Sequence, residues 1–411
     1  MSRALLATDL SESSEALPLW HEIQSINEVH AFTSMRQQWD KLAAAAEDCP
    51  LHLTYQYCEL AAARVLAGGE RIAIVMVYHN RDLLAIWPLA IHCRRPLRIA
   101  KALTSGSEEE YGGPLIKGVA GRAVVAETLR AVRAVPADLL QVIFVQDGSP
   151  LQELLEQAPL SWLLTLLPSN MGGFAGYSIH LREFARWDDF AAGLPKSLRS
   201  NLRRGIKQLS ARGHTEVGWC TTVDDADAVL TWLFANKRRW AEARGLNTKY
   251  LLDGQVRDFF MALARHIDLS TNPLVAFVKV DGVPVAASVS LVGLRSVEYF
   301  ITTYDQEFSR YSVGNLLVEG IVKWAHANGL DFDFRPLDGD YKARWANHET
   351  RYKTVFVFLT ARGRLMEFPL LARVLYNSLS WRWSRIKHKI KDLITSVIVT
   401  SKWRLGFQSR G

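Results

Sequence analysis

The sequence is poor in the features that mark several large classes of protein. It has four cysteines among 411 residues, and no two of them form a Cys-x-x-Cys pair. This scatter argues against a disulfide framework or a cysteine-based zinc site. Eleven histidines include no His-x-x-x-His pair, so no metal site is expected. No apolar run reaches the roughly 20 residues of a membrane-spanning helix.

Two common catalytic motifs are also missing. No Gly-x-Ser-x-Gly occurs, which argues against a nucleophile elbow. No Gly-x-Gly-x-x-Gly follows a predicted strand, which argues against dinucleotide binding. Ser105 to Ser107 precede three glutamates rather than a helix. We expect residues 108–114, EEEYGGP, to form a solvated turn, with a loop that reaches a cleft as the alternative.

Positive charge is unevenly spread along the chain. The net charge is +7 and the pI is near 9.2. Residues 370–411 hold nine Lys or Arg and a single acid, Asp392, so the remainder is close to neutral. A general polyanion-binding body is therefore not expected. Acidic residues at positions 9, 12 and 15 interrupt the apolar run of a secretory signal, so we expect a cytoplasmic protein.

The predicted elements repeat in the same order along the two halves. Each half has two helices before a β-hairpin, at residues 71–92 and 273–293, and the second hairpin turns at Asp281-Gly282. We predict an α/β (α+β) fold with tandem domains, each a mixed twisted sheet flanked by helices. Two unrelated α+β domains are the alternative. The predicted divisions are a mobile lead-in at 1–27, domains at 28–185 and 186–365, and a tail at 366–411.

Four stretches of the second half carry a resemblance to a known family. They are KSLRSNLRRGIKQL (196–209), NKRRWAEARG (236–245), YFITTYDQEFSRYSVGNLLVEGIVKWA (299–325) and FDFRPLDGDYKARW (332–345). In their joint order they resemble the GNAT acetyltransferases, in particular those of the CelD type. The chain also resembles the Fem-type aminoacyl transferases, which carry two GNAT-like domains. The resemblance implies acyl transfer, with acetyl-CoA as the donor and a place in exopolysaccharide or cellulose production.

A strand followed by a glycine-containing loop and a helix predicts a phosphate site for that donor. Amide groups at a helix N-terminus bind phosphate, and an arginine adds positive charge. The predicted donor-binding residues are Arg310, Tyr311, Ser312, Val313, Gly314 and Asn315. The loop departs from the GNAT pattern, because Arg310 lies one residue too far from Gly314 and Leu316 replaces a small residue. An altered donor site and a plain strand-to-helix turn are the alternatives.

The other candidate site residues lie where strands of the second half end. Tyr341 is the candidate general acid for the leaving thiolate, and Asp340 and Glu298 are the candidate bases. The alternatives are a turn and helix cap for Asp340, and a solvent-facing position for Glu298. The candidate acceptor-binding residues, for a small amine or an amino sugar, are Asp333, Asp338, Lys342, Arg199 and Arg203.

The basic tail has a helical apolar pattern over residues 375–391. Its leucines, isoleucines and Trp383 recur at spacings of three and four, with basic residues between them. This predicts an amphipathic helix that either packs on the body or lies on the inner face of a membrane, near membrane-bound glycan synthesis machinery.

Three functions follow from the pattern. The first is acetyl-CoA-dependent acetylation of an amine. The second is aminoacyl transfer with aminoacyl-tRNA as donor, in which the basic helix at 196–209 contacts RNA. The third is an inactive GNAT-fold scaffold of a glycan synthesis complex.

Overall fold

The computed structural model describes residues 18–94, 96–118, 121–166, 173–245, 254–336 and 339–380. Within these ranges strands and helices alternate in the same order twice, as the sequence predicts. The first half contains strands β1 (Leu19–Ile26), β2 (Arg71–His79), β3 (Asp82–Arg94), β4 (Leu97–Ala102), β5 (Leu115–Ile116), β6 (Leu139–Gln146) and β7 (Gly173–Ile179). Its helices are α1 (His30–Thr33), α2 (Arg36–Ala45), α3 (Tyr55–Ala67), α4 (Arg122–Val132), α5 (Pro150–Leu155) and α6 (Trp162–Thr165).

The second half follows two connecting helices, α7 (Trp187–Gly193) and α8 (Lys196–Ser210). Its strands are β8 (Thr215–Trp219), β9 (Val275–Val280), β10 (Val283–Val292), β11 (Ser296–Tyr304), β12 (Asp331–Pro336) and β13 (His348–Phe358). Its helices are α9 (Val223–Glu242), α10 (Gln255–His266), α11 (Val313–Ala327) and α12 (Asp340–Trp345). The Asp281-Gly282 turn is confirmed, since both residues have positive φ and β9 pairs with β10.

One sheet runs through both halves. Its strand order is β1-β2-β3-β4-β6-β13-β7-β12-β11-β10-β9-β8, and β5 pairs beside β3. The last strands of the two halves are exchanged, because β7 pairs with β12 and β13 pairs with β6. The division predicted near residue 185 therefore cuts the chain without separating two sheets.

The predicted mobile lead-in is wrong for its last residues. Leu19–Ile26 pairs antiparallel with β2 along its whole length, and the Trp20 ring stacks on Tyr78 at 4.4 Å. The strand lies at the edge of the sheet, where much of it stays partly exposed. Its sequence, LWHEIQSI, is correspondingly polar, and a polar edge strand gives a weak sequence signal.

The two halves share a hydrophobic core on one face of the sheet. Helices α2 and α3 of the first half pack in the same cluster as α9 and α10 of the second. Tyr57 of α3 and Phe259 of α10 meet with ring centroids 4.8 Å apart. On the other face, α4 covers the first half and α11 covers the second. The shared layer brings loops of the first half to the open end of the second.

Candidate active site

A wedge opens between two parallel strands of the second half. Strands β11 and β12 pair over only three residues, 296–298 with 331–333. Beyond this point the pairing of β10 with β11 skips Phe300, which forms a bulge. In β12, Arg335 has a φ of +64°. A bulge bends one strand and a left-handed residue redirects the other, so the two strands separate at their carboxyl ends.

A buried charge cluster closes the narrow end of this wedge. Glu298 of β11 is 2% exposed and pairs with the Arg335 guanidinium. That guanidinium also lies 4.5 Å from the ring centre of Tyr111 and 4.8 Å from that of Phe300. On the other side, His52 Nδ1 of the first half lies 3.3 Å from Glu298 Oε1. The cluster fixes both strands at the point where they part.

The environment of Glu298 suits a structural anion better than a base. Burial by itself raises the pKa of a carboxyl, but the Arg335 and His52 side chains outweigh it and hold the pKa of Glu298 below its usual range. The solvent-facing alternative is wrong, because Glu298 is buried. A carboxylate that is ionised, paired and shielded from solvent is a poor proton acceptor.

Asp333, a predicted acceptor-binding residue, lies at the same end of the wedge. It accepts hydrogen bonds from Tyr111 Oη at 2.6 Å and from the backbone N–H of Arg335, two residues further along β12, at 2.6 Å. Burial and the nearby Glu298 charge raise its pKa. Its oxygens therefore hold the first half against β12.

Residues 109–111 of the first half form one wall of the wedge. Glu110 is fully buried and accepts from Tyr57 Oη at 2.6 Å, Ser105 N at 2.6 Å and Ser107 Oγ at 2.9 Å. The next residue, Tyr111, reaches Asp333. The expectation of a solvated turn at 108–114 is therefore wrong. The glutamate run reads as polar, but Glu110 and Tyr111 are held inside by partners distant in sequence.

Two lysines lie at the wide end of the wedge, and each donates to the backbone of one strand. Lys237 of α9 donates to Thr302 O of β11 at 2.9 Å, and burial lowers its pKa. Lys342 of α12 donates to Phe334 O at 2.9 Å and to Arg335 O at 3.2 Å. The predicted acceptor ligand Lys342 thus fastens α12 to the end of β12, and its charge stays at the opening.

The remaining candidates around α12 differ in exposure. Asp340 is exposed at the start of the helix. Tyr341 is partly buried, and burial together with its neighbour Tyr304 raises its pKa to about 12. It therefore stays protonated at neutral pH and can donate a hydrogen bond. Asp338 lies outside the described residues.

The predicted phosphate loop is a short 3-10 helix, Gln306–Tyr311, followed by Ser312 at a φ of +56° and then by α11. Tyr311 and Val313 are buried, and Asn315 Oδ1 accepts from Trp345 Nε1 at 3.1 Å, so these three residues serve packing. Arg310 lies 4.8 Å from the Tyr311 ring centre. Gly314 faces the ring of Tyr304. The loop keeps a cation and a helix start beside the wedge.

Helix α8, the basic stretch, supports this loop from behind. Gly205 packs on Tyr311 O, where a Cβ atom would come within 2.3 Å, and Arg212 lies 5.8 Å from the Tyr311 ring centre. Arg203 is exposed and Arg199 is half-buried. Within the described part of the chain, neither arginine forms an ion pair or hydrogen bond with the wedge.

Sequence reasoning missed several residues that build the wedge. Arg335 stands inside the quoted FDFRPLDGDYKARW stretch, but its positive φ and its burial have no local signal. His52, Glu109, Tyr111 and Lys237 come from other elements, and only the fold brings them there. The one available hint was an arginine in a strand with two buried aromatic residues, Phe332 and Phe334.

Comparisons with known proteins show which family and which solved structures this chain resembles. Residues 196–353 match the family model described as an acetyltransferase (GNAT) domain. This match lies within the second half of the chain. None of the curated proteins matches the chain in sequence.

Solved structures resemble the chain over most of its length. The FemX crystal structure has a TM-score of 0.56 at 11% identity, covering 84% of this chain and all of FemX. The C-terminal domain of a putative lysylphosphatidylglycerol synthetase from Agrobacterium fabrum has a TM-score of 0.48 at 14% identity, with 83% and 96% covered. A tandem GNAT protein from the clavulanic acid biosynthesis pathway has a TM-score of 0.42 at 11% identity, with 83% and 99% covered. The first likeness shows a shared fold.

Two features are absent from the described residues. No group of three or more His, Cys, Asp or Glu side chains within them is arranged to hold a metal ion. No helix in that part of the chain is long and apolar enough to cross a membrane.

Proposed function

We propose that the protein is an acyltransferase that moves an acetyl group from acetyl-CoA to an amine in the wedge between β11 and β12. The observation that carries this proposal is the separation of these two parallel strands directly after three paired residues, inside the stretch that matches the GNAT domain. Ligands of open α/β sheets bind at the carboxyl ends of strands. Here that end faces a helix start and a loop arginine.

The charges around the wedge fit a donor that carries phosphates. Lys237 and Lys342 lie at its wide end, and Arg310 and Arg212 flank Tyr311 beside the start of α11. Lys237 and Lys342 donate to backbone carbonyls, and Arg310 and Arg212 lie beside an aromatic ring, so all four bring positive charge to the region where the phosphates would bind. Acetyl-CoA supplies an activated acyl group as a thioester.

The protein's own contribution to this reaction is positioning and hydrogen bonding. Within the described residues, β11 has no strand partner on its β12 side beyond Glu298, so its backbone there is available to the acyl group. Tyr341 keeps its proton at neutral pH and can donate a hydrogen bond to the departing thiolate. Such placement, with no covalent intermediate, is sufficient for acyl transfer to an amine.

The acceptor class and the pathway form the finer part of this proposal. The resemblance of the four stretches to CelD-type acetyltransferases supports an amino sugar or another small amine as the acceptor. It also supports a place in exopolysaccharide or cellulose biosynthesis.

Thermal-shift titration with acetyl-CoA, CoA and aminoacyl-tRNA tests the donor. Stabilisation by acetyl-CoA and CoA at micromolar concentration is expected, because ligands that bind only the folded state raise its apparent stability. No shift with acetyl-CoA or CoA would contradict the proposal. No shift with any of the three would favour the inactive scaffold.

Aminoacyl transfer is the second candidate, and the fold shared with FemX favours it. The exposed Arg203 on α8 is a candidate contact for RNA phosphates. A shift with aminoacyl-tRNA and none with CoA would replace the first candidate with this one.

We also propose peripheral contact with an anionic membrane through the C-terminal region. Residues 367–380 are helical, and their exposed apolar side chains include Phe368, Tyr376 and Leu379. The predicted amphipathic segment at 375–391 lies mostly outside the described residues, and the sequence from 370 onward is strongly basic. Full-length protein should float with phosphatidylglycerol vesicles and protein truncated after Pro369 should not. Equal flotation would contradict this.

A further inference from the structure

Glu109 stands out because its backbone is fixed while its carboxylate has no partner. Its amide donates to Ser107 Oγ at 3.2 Å and to Glu110 Oε2 at 3.1 Å, and its carbonyl accepts from the Arg335 guanidinium. Within the described residues its side chain forms no hydrogen bond or ion pair, and it is partly exposed. A carboxylate on a fixed backbone that forms no hydrogen bond or ion pair within the described residues is available to bind a ligand.

A backbone contact places Glu109 at the wedge, because its carbonyl accepts from the Arg335 guanidinium. It interacts electrostatically with Lys237 of α9, Lys342 of α12 and Arg335 of β12, and with Glu110 of its own loop. Lys237 lies on the end of β11 and Lys342 on the end of β12. Glu109 therefore lies on the side of the wedge that faces the first half, where both lysines act on its charge.

We propose that Glu109, supplied by the first half, is the base that takes the proton from the acceptor amine in the wedge of the second half. This inference rests on the proposed acyltransferase function and adds to it the group that serves the acceptor. The acceptor would be a primary amine that approaches from the side of the first half.

The step balances without a further reactant. The neutral amine attacks the thioester carbonyl carbon, a C–N bond forms and the C–S bond breaks. One proton passes from the amine nitrogen to the Glu109 carboxylate. The thiolate leaves and is protonated, by Glu109 or by water, so that the products are an amide and a thiol.

Three other carboxylates at the wedge already have partners. Glu298 pairs with Arg335, Asp333 accepts from Tyr111, and Glu110 accepts three short hydrogen bonds in the core. Burial and the Glu110 charge raise the pKa of Glu109, and this outweighs the three cations. A raised pKa makes a carboxylate a better base near neutral pH.

The test compares two adjacent glutamates of one loop. Glu108→Gln is the matched control, because Glu108 is exposed and pairs with Lys101 away from the wedge. Thiol release from acetyl-CoA would be followed with glucosamine, ethanolamine and hydroxylamine as acceptors across pH 5–9. We expect Glu109→Gln to lose at least 100-fold in kcat/KM for the two basic amines, with a smaller loss for the weakly basic hydroxylamine. Acetyl-CoA affinity should stay within twofold of wild type in both variants.

Several outcomes would overturn the inference. Equal losses in the two variants would mean that the loop matters and Glu109 does not. Turnover of Glu109→Gln within threefold of wild type would exclude it as the base.

A second readout does not depend on turnover. Carbon-13 NMR of the glutamate-labelled full chain should show a carboxyl that titrates above the usual glutamate range and is absent in Glu109→Gln. No such signal would reject Glu109 even if acetyl-CoA binds. Failure of acetyl-CoA to bind wild type, with the signal present, would instead reject the proposed function.

Discussion

The two halves each hold a pair of parallel strands, and the two pairs end differently. In the first half β4 and β6 pair over three residues, 99–101 with 139–141, and β4 pairs with β3 without a bulge. The space beyond is a small pocket that contains the Lys101–Glu108 ion pair. In the second half the bulge at Phe300 and the left-handed Arg335 open a wedge instead.

The chain after each strand differs as well. Between β11 and α11 there are eight residues, so the helix begins beside the wedge. Between β4 and α4 there are nineteen, and they include the loop that carries Glu109, Glu110 and Tyr111. In the described part of that connection no helix starts directly after β4. The loop crosses to the second half and completes the site there.

The largest expected effect comes from breaking the buried ion pair of the wedge in the second half. Glu298→Gln leaves the Arg335 charge buried without its partner, and we expect a loss of about 3–5 kcal/mol in the free energy of unfolding. The corresponding change in the first half, Glu108→Gln, should cost less than about 1 kcal/mol, because that pair is partly exposed. Urea denaturation measures both. A similar loss of stability in the two variants would remove the contrast between the pocket of the first half and the wedge of the second half.

The pH dependence of stability sharpens the same contrast. Because the pKa of Glu298 is lowered in the folded state, its stabilisation is present above the unfolded value of about 4.3 and is lost as pH falls through the folded value. Wild type should therefore lose stability on acidification more steeply than Glu298→Gln, whereas Glu108→Gln should follow wild type closely. Thermal melts between pH 3 and 7 test this. Parallel curves for all three proteins would contradict the assignment.

A smaller effect is expected from a substitution that displaces the loop beside the wedge. At Gly205 a Cβ atom would meet Tyr311 O at 2.3 Å, so Gly205→Ala must displace the 3-10 helix before α11. We expect a loss of about 1–3 kcal/mol and weaker acetyl-CoA binding. Gly121→Ala is the control, since open space surrounds that position before α4. Unchanged acetyl-CoA affinity in Gly205→Ala would separate the loop from the donor site.

The smallest effect should come from the first-half pocket. Lys101→Ala removes a partly exposed ion pair and should change the free energy of unfolding by less than about 1 kcal/mol. Acetyl-CoA affinity, measured by calorimetry, should equal that of wild type. A tenfold loss would show that the first half also takes part in donor binding.

Local patterns in the sequence predicted much of the fold. The two hairpins, the helix pairs before them and the start of α11 after Ser312 follow from periodicity, turn residues and helix signals over a few neighbouring positions. The repeat of this order predicted two similar halves. Edge strand β1 and short strand β4 were not predicted, because partly exposed or brief strands carry little hydrophobic periodicity.

The candidate site was predicted only in part. Placing Asp333, Tyr341 and Lys342 at the end of a strand was possible because they follow an apolar run that leads into a helix. Their partners were not predictable, since Tyr111 and Asp333 are 222 residues apart and Glu109 and Arg335 are 226 apart. No local pattern encodes a contact of that range.

The sequence by itself determined the elements, their twofold repetition and the acetyltransferase-like order of the second half. The tertiary structure decided that β7 and β13 change places, that one sheet and one core join the halves, and that Glu110 in a glutamate-rich loop is buried rather than solvated. The reason is physical. Strand pairing and helix starts depend on neighbouring residues, whereas the burial of a charge depends on the partner that the complete fold brings to it.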